Sequence, residues 1–280
     1  MQAATLPITA GWKWIMDGYQ LFMRQPLAMF FWAMVTGLLI TVSYFLPIIG
    51  QMVLIGITPM LTFIVLSACR NIASGRRITL DMWLQPVRRN TDVRNRLLKL
   101  GMVYLTFCMV AGFIATLPFL GGLRNAIGVD GNIDEVALIA AIRGPFITFG
   151  LLYILISALF WHAPALTGWH GIKTSQAMFY SMVACWRNKW PFLAYGAGWA
   201  AIFFALQSIG SLLLVLGLSP AATQMLVTPL NLGLAAVLYC SFYPAYVSVF
   251  GANYPTGFSD ETPRGNPDDT GSGTDDSGSP

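Results

Sequence analysis

The sequence predicts an all-α protein: a polytopic transmembrane helical bundle of six spans in three hairpins, each preceded by a cytoplasmic interfacial segment. Three observations predict it. Of 280 residues, 56% are hydrophobic and only 10% charged, with a mean hydropathy of +0.63; an average soluble domain carries about 25% charged residues. The charges are also unevenly spread. Residues 25–69 and 190–259 hold no Lys, Arg, Asp or Glu, and about 20 such residues suffice to cross a hydrocarbon core. Finally, the apolar blocks are apolar all round, whereas membrane β-strands alternate apolar and polar over about 10 residues, so a barrel is rejected. The same composition excludes an ordinary soluble domain, a secreted disulfide scaffold and a nucleic-acid-binding enzyme. No nucleic-acid partner is expected.

Residues 1–26 read as an N-terminal cytoplasmic amphipathic helix. Trp12, Ile15, Met16, Tyr19, Phe22 and Met23 recur on one face, Lys13, Asp17, Gln20 and Arg24 on the other, and Pro26 ends it. Such a helix lies in the membrane interface. The first apolar run begins at Leu27, too far in for a cleavable signal, so the first span should direct insertion. The six-span domain then covers 27–252. Its spans run at about 27–46, 49–69, 100–121, 145–168, 191–216 and 221–250. The first pair breaks at Leu46-Pro47-Ile48-Ile49-Gly50, the last near Gly217-Leu218-Ser219-Pro220.

Between spans two and three, Thr79 to Trp83 reads as a short capped turn, followed by Pro86 and a basic run into the span. The loop from Leu123 to Gly144 carries its own small helix, capped by Asn132 with Glu135 and ended by Gly144-Pro145. Before span five, Thr174 can cap a helix whose stripe is Met178, Met182, Cys185 and Trp186, with Pro191 breaking it. Residues 253–280 are mostly Gly, Ser, Thr, Pro and Asp, with six acidic residues and one Arg. They read as a disordered acidic cytoplasmic tail that buries too little to order itself.

Orientation follows from the cations. Fourteen of sixteen Lys and Arg fall on one side of six spans, and only Arg124 and Arg143 on the other. The positive-inside rule puts that side, and both termini, in the cytoplasm. Cys69, Cys108, Cys185 and Cys240 all avoid the outer loops and form no C-x-x-C motif, so they read as small apolar packing residues.

Short echoes run between the units. Phe22-Met23-Arg24-Gln25-Pro26 parallels Trp186-Arg187-Asn188-Lys189-Trp190-Pro191, and Leu46-Pro47-Ile48-Ile49-Gly50 parallels Leu117-Pro118-Phe119-Leu120-Gly121. Units that all start and end on one side relate by rotation about the membrane normal. These matches leave true repetition and coincidence both open.

Candidate sites are few. His162 and His170 are eight residues apart, roughly 12 Å along one helix, too far to clamp one metal or haem iron from both sides. They read better as interfacial polar residues beside anchoring tryptophans. Asp130-Gly131-Asn132-Ile133-Asp134-Glu135 begins like a calcium loop but has Glu135 where glycine is required and Ala141 where the bidentate Glu belongs. It reads as a turn and helix cap. Gln51, Thr58, Tyr104, Thr148, Gln207, Gln224, Asn231 and Tyr239 are polar at membrane depth; they line a solute path or bond between helices, and interhelical bonding is favoured. Pro59, Pro164, Pro229 and Pro244 should kink spans two, four and six.

The basic connection, with Arg76, Arg77, Arg88, Arg89, Arg94, Arg96 and Lys99 against Asp81 and Asp92, can contact anionic head groups or a membrane-protein partner. Acting as a topology determinant on acidic lipid needs no further assumption. No span as drawn contains an ionised residue, which disfavours ion-coupled transport. No nucleophile set, carboxylate pair or phosphate loop appears either. No enzymatic activity and no cofactor are expected.

Trp161-His162-Ala163-Pro164-Ala165-Leu166, Ser181-Met182-Val183-Ala184-Cys185-Trp186-Arg187-Asn188 and Tyr243-Pro244-Ala245-Tyr246 resemble a proteobacterial family of uncharacterised six-span inner-membrane proteins. The resemblance covers roughly residues 9–252 and omits the tail. It implies a six-span architecture in the bacterial inner membrane and supplies no activity, substrate or catalytic residue. The expected role is a non-catalytic membrane component, accessory or envelope-organising, acting through helix packing and its interfacial helices. The alternative is an uncoupled permease or channel for a small neutral or apolar solute.

Overall fold

Six helices are long and apolar enough to cross a membrane in the computed structural model, which describes residues 3–126 and 135–251. They are α2 (Pro26–Phe45), α3 (Ile49–Ala73), α5 (Thr91–Thr116), α7 (Glu135–Phe160), α10 (Lys189–Val215) and α11 (Pro220–Phe250). Shorter helices fill the connections: α1 (Ala10–Arg24), α4 (Leu80–Arg88), α6 (Leu120–Ala126), α8 (Ala163–His170) and α9 (Thr174–Arg187). The described residues contain no strand. The acidic tail, the calcium-like run and the Asn132 cap lie outside the described residues.

The span boundaries shift where proline was read as a stop. No separate helix precedes Gly144-Pro145; α7 runs through Pro145 without a break. In lipid the backbone bond lost at proline is made up locally, so proline does not end a helix there. The break falls instead at Trp161-His162, and the chain restarts as α8 with Pro164 in its first turn. Pro59, Pro229 and Pro244 also lie inside continuous helices. Pro86 sits inside α4, which is a nine-residue helix rather than a turn. Thr174 is the first residue of α9 and not its cap, which is Lys173.

The core lies at one end of the bundle, the end where α1, α4, α8 and α9 gather with most of the basic residues. Here α8 is buried from Ala163 to Trp169, and Trp14, Met29, Phe63, Ile72, Leu97, Leu100 and Val249 are all but inaccessible. The opposite ends of the spans are largely exposed, through Leu38, Tyr44, Phe45, Ile49, Phe146, Val215 and Met225. Exposed apolar surface is the ordinary condition of a helix facing lipid tails.

Contacts at the basic end run in a ring. Helix α4 packs on α3, and its Trp83 stacks on Trp32 of α2 at 4.7 Å and 3°. Helix α9 packs on α7, where the Ser181 hydroxyl donates to the Ala158 carbonyl and accepts from the His162 amide. Helix α1 packs on α10 and α11 and closes the ring. Its contact face is Gly11, Trp14, Ile15, Gly18 and Leu21, and the Trp14 indole donates to the Ser248 hydroxyl at 2.7 Å.

Two amides clasp this ring. The Gln25 side chain donates to the Arg76 carbonyl and accepts from the Ile78 amide, at 2.6 and 2.8 Å. The Asn188 side chain donates to the Ala4 carbonyl and accepts from the Leu6 amide, at 2.8 and 2.9 Å. Each amide sits at the junction between a short helix and a span, and each grips a carbonyl and the amide two residues later. Asn188 is fully buried and Gln25 only partly. Asn188→Ala should therefore cost about 2 kcal/mol, near the desolvation cost of buried groups left unpaired, and Gln25→Ala about 1 kcal/mol. Thermal unfolding of the two variants in detergent checks the order.

Candidate functional site

The breaks and prolines of the spans leave two adjoining chambers inside the bundle. The larger, about 240 Å3, lies among α3, α5, α7, α8 and α11. Thr58, Pro59 and Thr62 come to it from α3, Tyr104 from α5, and Tyr153, Ser157 and Phe160 from α7. Trp161, His162 and Pro164 line it from the α7–α8 break, and Tyr239, Phe242 and Tyr246 from α11. The smaller, about 160 Å3, lies among α2, α3 and α11 and shares Thr58, Thr62, Tyr239 and Phe242 with the first.

Aromatic edges and hydroxyls make the walls. The Tyr104 and Tyr153 hydroxyls bond each other at 3.2 Å. Phe160 meets Tyr104 edge-on at 4.9 Å. Thr58 and Thr62 turn their hydroxyls back onto the Leu54 and Thr58 carbonyls, which satisfies their protons within α3.

The floor toward the basic end is a packed aromatic cluster. His162 is 2% exposed and lies among Phe192, Tyr246 and Phe250, at 5.1–5.9 Å between ring centres. Its Nε2 has no hydrogen-bond partner. The two histidines therefore do not share an interfacial setting. His162 belongs to the core, because the chain break carries it inward, and His170 sits at the end of α8 with its Nε2 bonded to the Tyr246 hydroxyl at 2.8 Å. The Arg70 guanidinium lies 5.7 Å over the Trp169 ring beside it. Among the described residues, no three His, Cys, Asp or Glu side chains come together.

The chambers gather three of the polar residues singled out from sequence, Thr58, Tyr104 and Tyr239. They do not gather Gln51, Gln207 and Gln224, which are exposed near the splayed ends of α3, α10 and α11. Asn231 donates to the Val227 carbonyl within α11, and Thr148 is half-buried outside the chambers. Sequence reasoning missed Tyr153, Ser157, Phe160 and Trp161. Tyr153, Ser157 and Phe160, at i, i+4 and i+7, mark a single face of α7, a readable signal; Trp161 follows them directly in the break.

The basic connection is a surface. Arg76, Arg77, Arg88, Arg89, Arg94, Arg96 and Lys99 are all exposed. Arg96 also donates to the Gly171 carbonyl at 3.0 Å, tying the start of α5 to the end of α8. Arg24 donates to the Ala73 carbonyl at the end of α3. All four cysteines are free and buried. Burial pushes the Cys185 thiol in α9 up to about 12, so it packs as an un-ionised side chain at neutral pH.

No protein-family model matches this sequence, and no solved structure matches it. A curated protein of Burkholderia thailandensis, named a probable inner membrane protein, is 31% identical in an alignment 264 residues long that covers 91% of this chain and 96% of that one. An alignment of that length takes in every long apolar helix described above. The chain belongs to the family of this probable inner membrane protein, and its own six long apolar helices make it a multi-pass member of the inner membrane.

Proposed function

We propose that this protein is a non-catalytic component of the bacterial inner membrane, accessory or envelope-organising, with its basic end and both termini in the cytoplasm. The observation that carries this reading is the construction of the basic end. Helix α1 has three faces: Gly11, Trp14, Ile15, Gly18 and Leu21 against the bundle, exposed apolar Trp12, Met16, Tyr19 and Met23, and polar Lys13, Asp17, Gln20 and Arg24. A helix with one face for protein, one for acyl chains and one for water sits at the bilayer surface. The exposed arginines around it supply attraction to acidic lipid of about 1 kcal/mol each.

The test is purification in native nanodiscs with mass spectrometry of bound lipid and protein. Replacing Arg76, Arg77, Arg88 and Arg89 by Gln should lower the anionic share of retained lipid at least about threefold, and wild type should retain a membrane-protein partner. An unchanged lipid profile together with no retained partner would overturn the reading. A C-terminal reporter active only outside the cytoplasm should stay silent.

The adjoining chambers favour a second reading, an uncoupled permease for a small neutral or apolar solute. The aromatic cluster around His162 closes them toward the basic end in this conformation. Flux of such a solute into liposomes containing the purified protein would establish it.

A further inference from the structure

We propose that the larger chamber holds a lipid-soluble molecule with a flat, oxygen-bearing ring and an apolar tail, a quinone-type lipid, admitted from the bilayer between α7 and the α10–α11 pair. The ring of helices supplies the entrance. Helix α3 packs along α5 and α11 packs along α2, which seals the seams between those successive pairs of spans. Among the described residues α7 makes no extended contact with α10 or α11; the chain bridges to them at Trp161, just past the end of α7, which meets Phe192, Tyr195 and Phe242 edge-on. The chamber is bounded by α7 on one side and α11 on the other, so it stands behind the seam that is not sealed.

The walls define what enters. Phe160, Trp161, Tyr239 and Phe242 offer ring faces and edges, which pack a flat conjugated ring better than a flexible chain. With its neighbour, the chamber reaches the low end of small-molecule sites, about 300–1,000 Å3. That suits a head ring, not a whole lipid. A tail is then left to lie in the seam, among acyl chains.

The polar group is Tyr153. Tyr104 and Tyr153 form a hydrogen-bonded hydroxyl pair at membrane depth, and Tyr153 is the outer member, 42% exposed. If Tyr104 donates to Tyr153, the Tyr153 hydroxyl is free to donate onward; if Tyr153 donates to Tyr104, its oxygen is free to accept. The same site therefore takes a ring carbonyl or a ring hydroxyl, the two oxygen forms of a quinone and its quinol. A purely hydrocarbon occupant would leave this capacity unused in a region without water, which is costly.

The experiment uses the full chain in nanodiscs of quinone-free phospholipid, with a short-tailed benzoquinone as probe and tryptophan quenching as readout. Saturable quenching at one quinone per chain is expected. Tyr153→Phe, which keeps the ring and removes one oxygen, should weaken it about fivefold, the worth of one hydrogen bond. Ser157→Trp should block it by filling the chamber. Lauric acid, an acyl chain without a ring, should not compete. Non-saturable quenching, unchanged affinity in Tyr153→Phe, or equal displacement by lauric acid would each overturn the proposal. Should Ser157→Trp fail to fold, Tyr153→Phe carries the test. The proposal goes beyond the accessory reading, and a negative result leaves that reading, with its separate co-purification test, untouched.

Discussion

Gly101→Ala destabilises the bundle, while Gly56→Ala, the same substitution on the facing helix, leaves it intact or slightly more stable. The two glycines meet where α5 crosses α3. A Cβ on Gly101 would fall onto the carbonyl oxygen of Gly56, with the carbonyl carbon 3.0 Å away. Those are backbone atoms held in the α3 hydrogen-bond ladder, so no rotamer change relieves the overlap. Helices α3 and α5 must separate, or α3 must bend. Overpacking of this kind costs about 3 kcal/mol. Against it stands the gain of about 1 kcal/mol from replacing a helical glycine by alanine. A Cβ on Gly56 meets nothing within 4 Å, so there only the gain applies. Thermal unfolding in detergent, read by circular dichroism, should show the Gly101 variant melting well below wild type and the Gly56 variant at or above it. Equal melting of the two would mean that the crossing is looser than described.

That asymmetry shows what hydropathy can and cannot read in this chain. Span existence was legible because about 20 apolar residues have few other uses. Which face of each span meets protein was not legible, since lipid and protein interior ask for the same side chains. Helix α1 is the clearest case. Its large apolar residues Trp12, Met16, Tyr19 and Met23 dominate the sequence pattern and are exposed, whereas the packed face turns on Gly11 and Gly18, which carry no hydrophobic signal at all. Polar residues divided in the complementary way. Gln51, Gln207 and Gln224 stood out at membrane depth and ended on exposed positions near the splayed helix ends. Thr58, Tyr104 and Tyr239 stood out for the same reason and came to the chambers. Nothing within a single helix distinguishes the two groups; the difference lies in which helices approach one another. His162 needed the break at Trp161-His162 to be known, because a continuous span would have carried it to the surface.

The glycine face of α1 also sets the largest effect expected at the basic end. Gly18→Leu should detach α1 from the bundle. At Gly18 a Cβ would lie 2.6 Å from both Cα and Cβ of Ser241 and 2.8 Å from its amide nitrogen. Seven residues earlier, a Cβ at Gly11 would meet the Pro191 carbonyl oxygen and sit 2.7 Å from the Tyr195 amide nitrogen. These two close approaches, two turns apart, bring Trp14 between them onto Phe192 and Tyr195, at 5.0 and 5.8 Å between ring centres. Ser241 is itself committed, since it bonds the Tyr195 hydroxyl at 2.6 Å and its own helix at Leu238. A leucine at Gly18 therefore meets backbone and a fixed hydroxyl pair, and α1 must lift along its length. Lifting it exposes Trp14 and the α10–α11 surface beneath, a loss of about 3 kcal/mol or more. Tyr19→Leu, one residue on and facing outward at 48% exposure, changes side-chain size without touching that contact and should be within about 0.5 kcal/mol of wild type. Hydrogen exchange over residues 10–24 separates the outcomes. Gly18→Leu should lose protection throughout α1 while α3 and α5 keep theirs, and Tyr19→Leu should match wild type. Retained protection in Gly18→Leu would mean that α1 is held by the Gln25 and Asn188 clasps at its ends and not by its glycine face.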